Sequence, residues 1–165
     1  MLTEVREAYY FEEQNLRLQS TKLEMAMNIT EIIVPKHSIG GICIGTNIKE
    51  IETAISDQYT IHKNQNSLSI ENGFITAYHG AGGIISSLSC NQLFTGNYQN
   101  KLWAGMTVAD VLNRSKEQIA WSGFVQVDKI SGIGLSLPED RDDFELLTDH
   151  FELDFIFEEL WVYSF

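Results

Sequence analysis

The spacing of apolar residues switches period along this chain, and the switches mark its elements. In "YTIHKN", "SLSIENG", "FITAYHG" and "GIISSLSCN", between residues 59 and 91, apolar and polar positions come in short runs punctuated by Asn and Gly. That pattern is the mark of strands with one buried face. "ENGF" carries the strongest turn signal, because Asn-Gly supplies the positive φ of a tight hairpin. The four runs predict an antiparallel meander. The Gly-rich "AGG" is a hairpin or bulge between "FITAY" and "IISSLS". "QIAWSGFVQVDKISGIGLSLP", residues 118–138, predicts two or three further strands.

Each set of strands follows a stretch of another kind. "GGICIGTNIKEIETAISD" reads as a short strand, a glycine turn and a helix with Ile48, Ile51 and Ile55 on its buried stripe. Thr46 or Asn47 can cap it, with Glu50 at the capping-box position for Asn47. "KLWAGMTVADVLNRS" repeats the sequence of strand, glycine turn and helix, with Gly105, Thr107 as cap, Asp110 three residues on, and Val108, Val111 and Leu112 inward. Aligning the two matches Gly45 with Gly105, Ile48 with Val108, Glu50 with Asp110 and Ile51 with Val111. The Gly-Met-Thr turn into a helix resembles the helix start in repeats of the beta-lactamase-inhibitor-protein kind, a structural likeness that transfers no functional residue. The expectation is an α+β fold of mostly antiparallel sheets with a few short helices, built as two related helix-plus-meander units. The boundaries are one domain over 1–165, with internal halves 38–100 and 101–163.

The ends of the chain are read differently. Val5, Tyr9, Leu16, Leu23 and Met27 form a helical stripe, with Glu12, Glu13 and Arg17 facing out. "LEMAMNI" then alternates and predicts a strand over 23–29. "IIVP" leads into a loop at "KHS", where Pro35 blocks a regular continuation. Near the other end, Phe151, Leu153, Phe155 and Phe157 alternate with Glu152, Asp154 and Glu158. This predicts a strand with an aromatic buried face and an acidic wet face. "PEDRDDFELLTDH" before it predicts a short helix with Pro138 near its first turn and Phe144, Leu147 and Phe151 facing inward. Trp103 and Trp121 stand in apolar contexts and are expected in the core.

Charge changes the picture more than size does. A 165-residue chain that is 44% hydrophobic can bury a core. Its formal net charge is −12, and residues 139–159 hold ten acids and one base, Arg141, so −9 of it sits in that segment. Such a chain is repelled by nucleic acid and by anionic membrane, and its favoured macromolecular partner is a basic protein. The candidate partner-binding residues are Asp140, Asp142, Asp143, Glu145, Asp149, Glu152, Asp154 and Glu158. Like charges spaced two apart on one strand repel, a cost that a docking role would explain.

Other chemistry finds little support. "DRDDFE" lacks the spacing of an EF-hand, because Phe144 stands where an oxygen ligand belongs. His37, His62, His79 and His150 are scattered, as are Cys43 and Cys90, so no zinc motif forms and both cysteines read as free thiols. "YHGAGGIISS" lacks the lysine of a phosphate loop and the serine elbow of a hydrolase. No catalytic set, metal or cofactor is expected. The opening residues lack a secretory apolar run and no stretch nears the ~20 apolar residues of a membrane span, so the expectation is a cytoplasmic protein.

In size, charge and texture the chain resembles bacterial immunity proteins of contact-dependent growth inhibition and polymorphic-toxin systems. That resemblance implies a non-catalytic protein that neutralises a cognate basic toxin, such as a nuclease, by tight binding. Immunity proteins share no motif, so it transfers no site residue. Two other readings stand beside it: a small-molecule or accessory binding module with a pocket between sheet and helices, and an enzyme with an unrecognised site.

Overall fold

The alternating runs do become antiparallel strands. The computed structural model describes Gln14 and residues 27–165. Three two-residue strands, β1 (Ile33–Val34), β2 (Ser38–Ile39) and β3 (Ile42–Cys43), form a small sheet in that order. Helix α1 (Ile48–Ile55) follows, then the meander β4 (Ile61–Lys63), β5 (Ser67–Ile70), β6 (Ile75–His79) and β7 (Ile85–Cys90). Helix α2 (Val108–Arg114) leads into β8 (Gln118–Trp121), β9 (Phe124–Val127), β10 (Ile133–Ser136) and β11 (Leu160–Tyr163). The eight strands β4–β11 join one sheet in the order β4-β5-β6-β7-β11-β10-β9-β8, all pairs antiparallel. The fold is therefore α+β, with mostly antiparallel sheets and two short helices.

The palindromic strand order reflects a repeat in the hydrogen bonding. In the first unit the Gly45 N–H donates to Ile85 O (2.8 Å), Ile85 N–H to Thr46 O (2.9 Å) and Ile48 N–H to Gly83 O (2.7 Å). In the second the Gly105 N–H donates to Phe157 O (2.8 Å), Phe157 N–H to Met106 O (2.8 Å) and Val108 N–H to Phe155 O (3.0 Å). Gly45 and Gly105 hold φ of 90° and 92°, a left-handed turn that glycine adopts without a Cβ penalty. Each unit thus threads a glycine turn and capped helix against the residues that lead into its last strand. Equating Ile85 with Phe157 turns the β7–β11 register (Leu88↔Val162, Ser89↔Trp161, Cys90↔Leu160) into its own mirror, so a local two-fold passes between Ser89 and Trp161.

Both helices are too short to persist alone and are held by packing. Ile48, Ile51 and Ile55 of α1 and Val108 and Val111 of α2 are buried against Leu68, Ile75, Leu88, Leu135, Leu160 and Val162 of the sheet's inner face. Burying one such side chain is worth roughly 1.5–3 kcal/mol. Asn47 caps α1 through Lys49 N–H (3.0 Å), and Glu50 makes no reciprocal bond. Thr107 and Asp110 form the predicted capping box on α2, which holds the Asp110 carboxyl below its ordinary value. The "ENG" turn joins β5 to β6 with three successive left-handed residues, and a bulge at Tyr78/His79 sits before the "AGG" connection.

Several expectations fail. Lys101–Trp103 make no strand, only an isolated Tyr98↔Leu102 bridge. Met27–Ile29, the described end of the strand expected over 23–29, carry no regular structure, and the rest of that strand and, Gln14 apart, the helix expected before it lie outside the described residues. The largest departures fall in residues 138–159, taken up next.

Candidate functional site

The acidic segment is neither one helix nor a strand. A 3-10 turn at Glu139–Arg141, closed by Arg141 N–H to Pro138 O (3.0 Å), and a second at Leu147–Asp149 replace the helix. Short polar side chains compete for the backbone here. Asp143 Oδ1 accepts from Phe144 N–H and Asp149 Oδ2 from Leu146 N–H, both at 2.9 Å. The strand expected over 151–158 is replaced by a turn at Leu153–Asp154 and an extended run that enters β11 only at Leu160. Its carbonyls are taken by α2. Leu153 O accepts from Ala109 N–H (2.9 Å) and Phe155 O from Val108 N–H (3.0 Å). These are two of the amides that a helix start leaves unpaired.

The in–out sorting of side chains survives this change of backbone in part. Phe144, Leu147, Phe151 and Phe157 are buried as predicted, and Phe151, Phe155 and Phe157 pack with centroids 4.6–5.8 Å apart. Leu153 breaks the pattern at 56% exposed. Arg141, the segment's one base, lies over the Phe151 and Phe155 rings at 5.1 and 5.6 Å. Its Nη1 donates to His150 O (3.2 Å), and its Nε sits 3.8 Å from the Asp140 carboxylate. The guanidinium is thereby committed to the segment's own rings and carbonyl.

All eight predicted acids are exposed: Asp140, Asp142, Asp143, Glu145 and Asp149 on the two 3-10 turns and between them, Glu152 and Asp154 around the following turn, and Glu158 before β11. Asp142, Asp143, Glu145, Asp149, Glu152, Asp154 and Glu158 have no ion pair among the described residues. Between them stand Leu146, Leu153 and Ile156, exposed at 65%, 56% and 43%. A groove of about 340 Å³ runs beside them, lined by Ser136, Leu137, Pro138, Phe155, Ile156, Glu158 and Glu159. Glu158 also borders a neighbouring depression with Asn91, Gln92 and Leu93.

Sequence reasoning missed a second feature. The outer face of the sheet carries a row of aromatics, in which Tyr78 stacks on Trp161 (4.6 Å) and Phe124 reaches Trp161 (5.7 Å) and Tyr163 (4.9 Å). Trp121 lies over Tyr163 (5.6 Å). Trp121 is therefore not a core residue: it is 38% exposed on this face. Gly134 leaves the space Phe124 occupies, since a Cβ there would stand 2.8 Å from Phe124 Cβ. The Trp161 indole N–H donates to Glu159 Oε2 (2.9 Å), tying the row to the groove. Burial raises the Tyr78 phenol, its hydrogen bond to Ser89 lowers it, and the Glu159 charge raises it. The signal was present: Tyr78, Phe124, Trp161 and Tyr163 fall on positions out of phase with Ala77, Val125, Leu160 and Val162.

Among the described residues no three His, Cys, Asp or Glu side chains gather to hold a metal ion. His79 Nδ1 lies 2.9 Å from Gly80 O, and both cysteines are free. No helix among the described residues is long and apolar enough to cross a membrane. No protein-family model, curated protein or solved structure matches the chain.

Proposed function

We propose that the protein is a non-catalytic inhibitor of the immunity kind, which neutralises a cognate basic toxin domain by docking it on the segment 139–159. One observation carries this reading. Seven of the eight predicted carboxylates stand exposed without an ion pair among the described residues, interleaved with the exposed side chains of Leu146, Leu153 and Ile156. Unpaired like charges repel one another, and large exposed aliphatics are costly in water, so together they fit a surface completed by a partner. Aliphatic anchors within a charged rim are the anatomy of protein interfaces, where the anchors supply affinity and the rim supplies rate and selectivity. Charge of this density can raise association toward roughly 10⁸–10⁹ M⁻¹s⁻¹ at low salt, which suits capture of a toxin.

The test is a pull-down with the purified chain, which should recover a basic protein, followed by a titration against that protein. Reversing Asp142, Asp143, Glu152 and Asp154 to Lys should weaken binding by roughly a hundredfold or more while leaving the circular dichroism spectrum unchanged. Wild-type affinity should fall steeply with added salt. Unchanged affinity in the reversed variant, or indifference to salt, would show the segment to be solvated surface.

A further inference from the structure

Resting on that reading, we infer that the groove between the end of β10 and the run into β11 seats one arginine side chain of the basic partner. Its walls are Leu137, Pro138, Phe155 and Ile156, and Glu158 and Glu159 line it as well. Arginine has the matching two-part chemistry, an apolar stem that lies along apolar surface and a charged planar head that keeps its hydrogen bonds. At about 340 Å³ the groove has room for one such side chain.

Two details favour the guanidinium. The Glu159 carboxylate is already oriented by the Trp161 indole N–H at 2.9 Å, with Tyr78 stacked on that indole at 4.6 Å. A pre-oriented carboxylate loses less freedom on binding, and a flat five-donor fork can use its remaining oxygen together with a second carboxylate, which a lysine ammonium does less well. Glu158, the other acid that lines the groove, has no ion pair among the described residues. The chain's own Arg141 does not compete, because its guanidinium is held over Phe151 and Phe155.

The probe is a short blocked peptide, acetyl-Gly-Arg-Gly-amide, against its citrulline counterpart, which keeps the shape and loses the charge. The readout is the Trp161 indole N–H resonance in a ¹⁵N-labelled protein, assigned with Trp161→Phe. The arginine peptide should shift that resonance saturably, and the citrulline peptide should bind roughly tenfold more weakly. Glu158→Gln, which removes no bond among the described residues, should weaken the arginine peptide by roughly five- to tenfold. No saturable shift, equal shifts from both peptides, or an unchanged Glu158→Gln would each overturn the inference. The variant reversed at Asp142, Asp143, Glu152 and Asp154 separates the two proposals, because none of those residues lines the groove. A partner that binds wild type and Glu158→Gln alike defeats the groove alone. A partner that ignores the reversed variant's charges defeats the docking surface, whatever the peptide does.

Discussion

Asp128 ties three separated pieces of the second unit, and its charge should be measurable as stability. It sits with Lys129 at the β9–β10 turn, both in the left-handed region (φ 48° and 59°). Its Oδ1 accepts from Lys116 N–H (2.8 Å) and Glu117 N–H (3.0 Å), and its Oδ2 accepts from Lys101 Nζ. The Lys101 hydrogen bond first, then the backbone amide of Glu117, bring its carboxyl from 3.8 down to about 2. That difference corresponds to about 2 kcal/mol at neutral pH, an upper figure because Lys101 remains partly solvated. Asp128→Asn is the informative change: the amide oxygen can keep the bonds from Lys116 and Glu117 N–H and Asn tolerates the left-handed turn, while the charge and the acceptor for Lys101 Nζ are removed together.

The direction with pH follows from the depressed value. A carboxylate stabilised in the folded state contributes fully above its unfolded value near 3.9, and the contribution is lost as pH falls through the folded value near 2. Urea unfolding of wild type and variant at pH 7, 5 and 3 isolates this group by difference. The gap should be at most about 2 kcal/mol at pH 7 and 5, and should shrink to about half its neutral value at pH 3. A gap that is the same at pH 3 as at pH 7, or one below about 0.5 kcal/mol throughout, would refute the reasoning, since that is the range of an exposed ion pair.

Two further outcomes follow from local geometry. Gly132 holds φ 78°, and a Cβ there would stand 2.1 Å from Lys36 Cγ, 2.8 Å from Lys36 N and 2.9 Å from Tyr163 O. Gly132→Ala should cost more than about 2 kcal/mol in denaturant titration, against about 1 kcal/mol for Gly123→Ala, where the φ is also positive but no atom lies within 4 Å. Equal losses would mean that backbone strain alone matters at both. The thiols should also separate, because burial pushes Cys90 up to about 12 while Cys43 is half-exposed with His37 Nε2 at 3.7 Å. A chromogenic disulfide reagent should titrate Cys43 alone in the folded protein and both thiols in urea; two fast thiols before unfolding would contradict the buried position of Cys90.

Much of the architecture was legible because it is written in short-range patterns. The short runs "SLSI", "FITAY" and "FVQV" marked strands, and both helices began where a glycine turn met a capping residue. The internal alignment of Gly45 with Gly105 proved to mark equivalent hydrogen bonds, because both turns answer the same need to bring a helix start against a returning chain. The acidic segment shows the limit of such reading. Its alternation predicted that Phe151 and Phe157 would be buried and Glu152, Asp154 and Glu158 exposed, since burial follows side-chain chemistry. It misjudged the backbone, since a ladder requires partners, and these carbonyls were claimed by the amides of Val108 and Ala109 more than forty residues earlier in the chain.

By itself, then, the sequence determined the local elements, the inward aromatics, and a concentration of negative charge toward the C-terminal end. These depend on residues a few positions apart. The tertiary structure alone decided what meets what: β7 beside β11 with a two-fold between Ser89 and Trp161, Arg141 laid over its own segment's rings, and Glu159 held by Trp161 beside an apolar groove. Such juxtapositions join residues from distant parts of the chain or across a sheet. They are set by how the two meanders close around one core, and no local period encodes that closure.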